Sequence, residues 1–250
     1  MNLLSRFIFS FIIICLYGCS AAYRDLDTAV ANSADVTELN LSNKRLAVLS
    51  PSIGNLTNLK KLNLFGNHLQ RLPPEIGKLK NLEQLVLSSN NLQSLPAEIG
   101  KLTNLKELII QFNDLRTLPP EIDSLQSLEV LKLDYNKLDS LPPEIGQLTS
   151  LEYLSLDRNY LTSLPREIGK LRWLRYFYIG KNQLNDLPTE LGNLSSLVEL
   201  NVAFSGALRV PDNICELPKL DMVYADSHTL VPYCLMRPTA TRLRLRIVPL

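Results

Sequence analysis

Several things are scarce in this chain of 250 residues, and each scarcity removes a class of function. Only two histidines are present, no glycine-rich loop of the phosphate-cradling kind occurs, and no nucleophile elbow is found, so the usual residues of catalysis are missing. Lys plus Arg total 26 against 25 for Asp plus Glu, so no basic surplus exists to drive nucleic-acid binding. Long hydrophobic runs are also missing: the longest, Phe7 to Leu16, is too short to span a bilayer as a helix. The expectation is a chain that is not an enzyme, carries no cofactor and binds no nucleic acid.

The N-terminal stretch MNLLSRFIFSFIIICLYGCS has one positive charge at Arg6, then the apolar run, then Leu16-Tyr17-Gly18-Cys19. Its order of charge, apolar run and small residue is that of a secretory signal over residues 1–18. The last four residues look like a bacterial lipobox, in which Cys19 takes a diacylglyceryl group and becomes the mature N-terminus. Such a lipid would hold the protein to a membrane surface without a spanning helix. An ordinary cleaved signal with Cys19 incidental, or a short uncleaved anchor, stay open.

Comparison of the chain with itself exposes a strict period. The segments LKKLNLFGNHL at 59, LEQLVLSSNNL at 82, LKELIIQFNDL at 105, LEVLKLDYNKL at 128, LEYLSLDRNYL at 151 and LRYFYIGKNQL at 174 are each 23 residues apart. The phase extends without insertion to VTELNLSNKRL at 36, LVELNVAFSGA at 197 and a degenerate LDMVYADSHTL at 220, which makes nine units over 36–230. The fourth and sixth residues of each unit are apolar with one residue between them, the alternation of a strand with one buried face. No unit can bury its leucines alone, so stacking must supply the core.

These segments, each followed by a variant of L-P-x-x-I-G-x-L, resemble the leucine-rich repeat family. The resemblance implies an α/β architecture: a right-handed solenoid arc with a parallel sheet on its concave face and short helical or 3-10 segments on its convex face. The ninth residue is Asn in six consecutive units (Asn67, Asn90, Asn113, Asn136, Asn159, Asn182). A buried amide there satisfies backbone groups in its own and adjacent turns, so the six should form a ladder. Pro at the fifteenth position, from Pro73 to Pro211, sets the turn into the convex segment. Gly at the nineteenth suggests positive φ at the end of that segment, and the turns carrying Asp123 and Cys215 there should differ in shape.

The array needs caps. Residues 19–35 read as a lipidated N-terminus running into a capping helix, with Leu26, Ala29 and Val30 on one face. A Tyr-x-Asp-Leu helix entering the first repeat is similar to that of spirochaetal leucine-rich repeat surface lipoproteins. At the far end, residues 231–250 form the second cap, where Arg242, Arg244 and Arg246 alternate with apolar residues as in an edge strand with its charges outward. The ladder position becomes Ser205 and then His228. Cys215 and Cys234 are candidates for a disulfide stapling this cap; zinc bound by them with His228 and Asp226 is the alternative.

The resemblance also makes the second, third, fifth, seventh and eighth residues of each strand segment outward-facing, where the core does not dictate identity. Early units fill these positions with polar residues such as Thr37, Glu38, Lys60 and Lys61. Later units place Phe112, Tyr135, Tyr153, Tyr176, Tyr178, Phe204, Met222 and Tyr224 there, and Trp173 stands just before its strand. An aromatic cluster rimmed by charge has the composition of a protein-binding hot spot. Asp134 and Asp157, at the seventh position of neighbouring units, and Glu129 and Glu152 at the second, read as a solvated face relieved by Lys132, Arg158 and Arg175; pairs close enough to disfavour double ionisation or to attract a cation or basic partner are the alternative. The expectation is a membrane-anchored lipoprotein of the bacterial envelope, in the outer membrane or at the cell surface. Its concave face would bind a protein, with homodimerisation through the same face as an alternative.

Overall fold

The computed structural model describes residues 22–236 and 243–249. The lipobox, Cys19 and Arg242 lie outside the described residues.

Leucine at the fourth and sixth positions drives the architecture. Leu62, Leu85, Leu108, Leu131 and Leu154 are at most 1% exposed, and they form one continuous row through the array. Each such side chain stabilises the stack by roughly 1.5–3 kcal/mol relative to exposure. Phe177 fills the same row in the seventh unit and is fully buried.

The strands are short: β1 (Glu38–Asn40), β2 (Lys61–Asn63), β3 (Gln84–Val86), β4 (Glu107–Ile109), β5 (Val130–Lys132), β6 (Tyr153–Ser155), β7 (Tyr176–Tyr178), β8 (Glu199–Asn201), β9 (Met222–Ala225) and β10 (Arg244–Ile247). They form one sheet in sequence order, every pair parallel. Register from β1 to β9 is the 23-residue period itself, so equivalent residues stand side by side in rows. The tenth strand lies beyond the nine repeats; it is the arginine-bearing tail, with Arg244 and Arg246 exposed at the sheet's last edge.

Between strands the chain returns through five-residue 3-10 segments, such as Pro74–Lys78 and Arg166–Lys170. Proline stands at the N-cap of seven of these, with extended ψ near 145° and no capping side chain; its fixed φ replaces a cap. In the first unit Ser50 takes that place and accepts the amide of Ser52 instead.

The glycines at the nineteenth position correct one expectation. Their φ is not positive; among the glycines of the described residues only Gly66 and Gly206 have positive φ. They are needed for closeness: a Cβ on Gly100 would come to 2.3 Å from the carbonyl oxygen of Glu121 in the next segment. The Asp123 turn keeps the shape of its neighbours, whereas the Cys215 turn ends with Leu217 at ψ 120°, against about 60° elsewhere.

The ends are closed differently. At the first edge, Tyr23 bridges to Leu39 and helix α1 (Leu26–Ala31) buries Ala29 over the core, with Asp25 capping Thr28. At the other edge, Cys215 and Cys234 form a disulfide with Cα atoms 6.1 Å apart, tying helix α2 (Tyr233–Met236) to the last 3-10 segment. Both sulfurs are thereby used, and no group of His, Cys, Asp and Glu among the described residues is arranged to hold a metal. No helix among them is long and apolar enough to cross a membrane.

Candidate functional site

The asparagine row runs through the interior as a ladder. Asn136 donates Nδ2 to the carbonyls of Ile110 (2.8 Å) and Leu133 (3.0 Å), and its Oδ1 accepts the amide of Leu115. Asn67, Asn90, Asn113, Asn159 and Asn182 repeat the pattern. Ser205 continues it with its hydroxyl, which donates to the carbonyl of Ile179 and accepts the amide of Asn182. His228 does not: it is exposed, and the buried carboxylate of Asp226 serves the last turn, accepting the amides of His228 and Phe204.

Just before each ladder residue lies the eighth position, and there the backbone turns left-handed. Asn43, Ser89, Phe112, Tyr135, Arg158, Lys181 and Phe204 all have φ between 55° and 64°, and Gly66 joins them at 68°. Glycine or asparagine is the ordinary occupant of such a conformation, and a bulky side chain there costs on the order of 1 kcal/mol. The early units obey this preference with Asn43 and Gly66. Later units place rings and long cations on the same strained backbone.

Those side chains form a row on the surface. The ring of Phe112 stacks on Tyr135 at 4.2 Å between centroids, Arg158 lies over Tyr135 at 4.8 Å, and Lys181 lies over Phe204 at 5.0 Å. A second group sits on the strands themselves. Tyr153 packs against Tyr176 and Tyr178 at 6.0 and 5.4 Å, with Lys132 over Tyr153 and Arg175 over Tyr176. Tyr178 donates its hydroxyl to Glu199 at 2.8 Å, and burial together with that carboxylate pushes the phenol upward.

Of the aromatic residues expected to cluster, Tyr153 contacts both Tyr176 and Tyr178, Phe112 stacks on Tyr135, and Phe204 meets Lys181. Tyr224 lies under Arg246 at 5.8 Å, while Met222 pairs in register with Glu199 and Arg244 near the last edge. Trp173 stands apart. It occupies the rim turn, is 64% exposed, and makes none of the ring stacks among the described residues. Its column otherwise carries residues that bridge units: Asn58, Asn81 and Asn104 each donate to a carbonyl 24 residues back. Phe65, 41% exposed at a seventh position, is an outward ring the pattern reading passed over.

The aspartates between these groups are not a solvated face. Asp134 is 5% exposed and accepts from Gln111 Nε2, Ser155 Oγ and the amide of Asp157. Asp157 accepts the amide of Gly180 at 2.6 Å. Burial, reinforced by the neighbouring Asp134, pushes the Asp157 carboxyl up to about 6. These carboxylates cap backbone amides of the next turn, a role that Asn40, Asn63 and Asn201 play within their own units. Of the cations expected to relieve them, Arg158 acts on Asp157 through space while lying over a ring, as does Lys181, whereas Lys132 lies over a ring and Arg175 pairs with Glu152.

Comparison with known proteins agrees with this architecture. Models of the leucine-rich repeat match residues 36–133 ("Leucine-rich repeat region"), 127–148 ("Leucine Rich Repeat") and 149–205 ("Leucine rich repeat"), more than half of the chain taken together. The chain belongs to the leucine-rich repeat family. Among solved structures, a leucine-rich repeat protein of Leptospira interrogans is 36% identical, with a TM-score of 0.73 over 86% of this chain and 62% of that one.

The ectodomain of the plant membrane receptor kinase GASSHO1/SCHENGEN3 from Arabidopsis thaliana, solved with CASPARIAN STRIP INTEGRITY FACTOR 2, is 26% identical. It superposes with a TM-score of 0.68 over 86% of this chain and 30% of that one. The functional domain of InlJ from Listeria monocytogenes shares the fold at 21% identity and a TM-score of 0.69, over 89% of this chain and 52% of that one. This chain therefore spans less than two thirds of each of these proteins. Comparison with curated proteins returned no match.

Proposed function

We propose that this protein is a non-enzymatic binding protein whose concave sheet, from the fourth unit to the last, holds a protein partner. One observation carries the reading. Phe112, Tyr135 and Phe204 are held at left-handed φ, where nothing in the fold favours a ring, and the first two are 50% and 41% exposed. Large stiff side chains kept outward against local backbone preference are what a recognition surface requires. The plant receptor ectodomain, solved with a bound factor, supports the use of this fold for such binding.

The lipobox-like Leu16-Tyr17-Gly18-Cys19 supports attachment to the bacterial envelope, in the outer membrane or at the cell surface, through lipid on Cys19. Likeness to the Leptospira protein supports a bacterial origin.

The test begins with light scattering of the chain from Ser20 beside a variant carrying Tyr153→Ala, Tyr176→Ala and Tyr178→Ala. A folded monomer in both cases, followed by loss of affinity-captured envelope or host protein in the variant, is the expected result. A native dimer that the triple change converts to a folded monomer would instead make the patch a self-association surface. Mass spectrometry of the full chain labelled with radioactive or alkyne-bearing palmitate tests Cys19: label lost with Cys19→Ala is expected, and label retained would sink the anchor.

A further inference from the structure

The cations of the concave face are treated in two ways. In the early units they meet carboxylates: Lys61 pairs with Glu38, and Lys60 and Lys106 both reach Glu83. From the fifth to the seventh unit, Lys132, Arg158 and Lys181 have no carboxylate within salt-bridge distance among the described residues. Each lies over an aromatic ring instead, at 5.0, 4.8 and 5.0 Å. The nearest acids, Asp134 and Asp157, turn their oxygens to Gln111, Ser155 and backbone amides of the sheet.

Arg158 and Lys181 are successive members of the eighth row, so their backbones are about one strand spacing, ~4.8 Å, apart. Both are exposed, and both are fixed by the ring beneath them: Tyr135 on one side, Phe204 on the other. A ring face holds a cation by its quadrupole while leaving the hydrogen-bond donors free. An ion-pair partner would occupy those donors; a ring does not. The row thus reads ring, ring, cation, cation, ring from Phe112 to Phe204; Asp157 acts on both cations through space, but among the described residues no carboxylate pairs directly with either.

We propose that the partner presents an acidic segment, one carboxylate seated between Arg158 and Lys181 and flanking apolar or aromatic side chains against Tyr135 and Phe204. This rests on the protein-binding reading above and names the chemistry that reading leaves unspecified. Lys132, over Tyr153, extends the positive patch toward the strands. The carboxylate ligand fits the pair because Arg offers a planar fork and Lys a point charge, together enough donors for two oxygens.

The test uses two synthetic peptides of twelve residues, one alternating Glu with Tyr and one alternating Gln with Tyr. Both are titrated by calorimetry into the chain starting at Ser20 at low and at high salt. The acidic peptide is expected to bind at least ~10-fold more tightly, and this preference should shrink with salt as screening rises. Arg158→Gln with Lys181→Gln should abolish the preference. Lys60→Gln with Lys61→Gln should leave it intact, and Arg158→Lys should retain most of it. Thermal melts of each variant confirm folding, since all these side chains are exposed.

Equal binding of both peptides, with loss in the Tyr135→Ala variant, would overturn the acidic ligand while sparing the protein-binding reading. Binding of neither peptide, with dextran sulfate or vesicles containing anionic phospholipid bound through Arg158 and Lys181, would overturn both. Acidic-peptide binding that survives loss of both cations would also sink the assignment.

Discussion

The first three units and the five that follow are built on the same interior and differ on the same surface. Leu62 and Leu154 are equally buried, and Asn67 and Asn159 donate to equivalent carbonyls. Outward, however, the early half balances Lys61 against Glu38 and relaxes its turns with Asn43 and Gly66, while the later half strains the same turns to hold Tyr135 and Phe204. The fold is indifferent to that exchange. What differs must answer to something outside the chain.

The largest expected effect should ignore the division. Asn67→Ala and Asn136→Ala each strand buried carbonyls and an amide, and each should destabilise by about 3 kcal/mol or more. Urea unfolding with hydrogen exchange reads this unit by unit. A clearly smaller loss in the early half would break the claim that the two interiors are equivalent.

Next comes the C-terminal closure. Cys215→Ser with Cys234→Ser should cost about 2–4 kcal/mol and should expose amides of β9 and β10 to exchange before those of β2. Uniform loss across the sheet would show that the staple acts on the whole array.

Asp157 is specific to the later half and gives a pH signature. Its carboxyl is raised from 3.8 to about 6 in the folded chain, so the folded state takes up the proton first. Stability should therefore rise as pH falls from about 6 towards 4, by on the order of 2 kcal/mol, and fall again as the carboxyl ionises on the way to neutrality. Asp157→Asn should be more stable than native at neutral pH and should lose this dependence in thermal melts. An unchanged slope would mean that burial does not govern the group.

The smallest effect tests the strain itself. Phe112→Asn relieves left-handed φ but gives up the stack on Tyr135, two terms of about 1 kcal/mol with opposite sign, so the melting temperature should hardly move. Gly66→Ala, in the early half, should instead destabilise, because its Cβ would collide with Asn43.

How far the sequence discloses all this follows from the same division. Leucine spacing and the ninth-position asparagine state the solenoid, its register and its ladder, because burial leaves few residue types possible at Leu108 or Asn113. The nineteenth-position glycine is visible but its reason is not. Gly100 serves closeness to Glu121, and the distance between two convex segments is a tertiary quantity. Outward rings such as Tyr153 and Phe112 are legible as a cluster, yet the pairing of Arg158 with Tyr135 is not. Arg158 has several carboxylates within reach on paper, yet from its left-handed turn it lies over the ring of Tyr135. Asp134 misleads for a related reason: an acid at an outward position reads as solvated until Gln111 and Ser155 are seen closing over it.

The unbroken 23-residue register has a consequence for how such a surface changes over generations. Because each unit touches chiefly its neighbours, unequal recombination between repeats can add or delete a whole unit while the core chemistry at both new junctions stays leucine on leucine and asparagine on asparagine. Each event moves the aromatic row relative to the N-terminal cap by one strand, ~4.8 Å, without altering a residue in it. Reach and recognition are therefore inherited separately, one counted in modules and the other spelled in the eighth row.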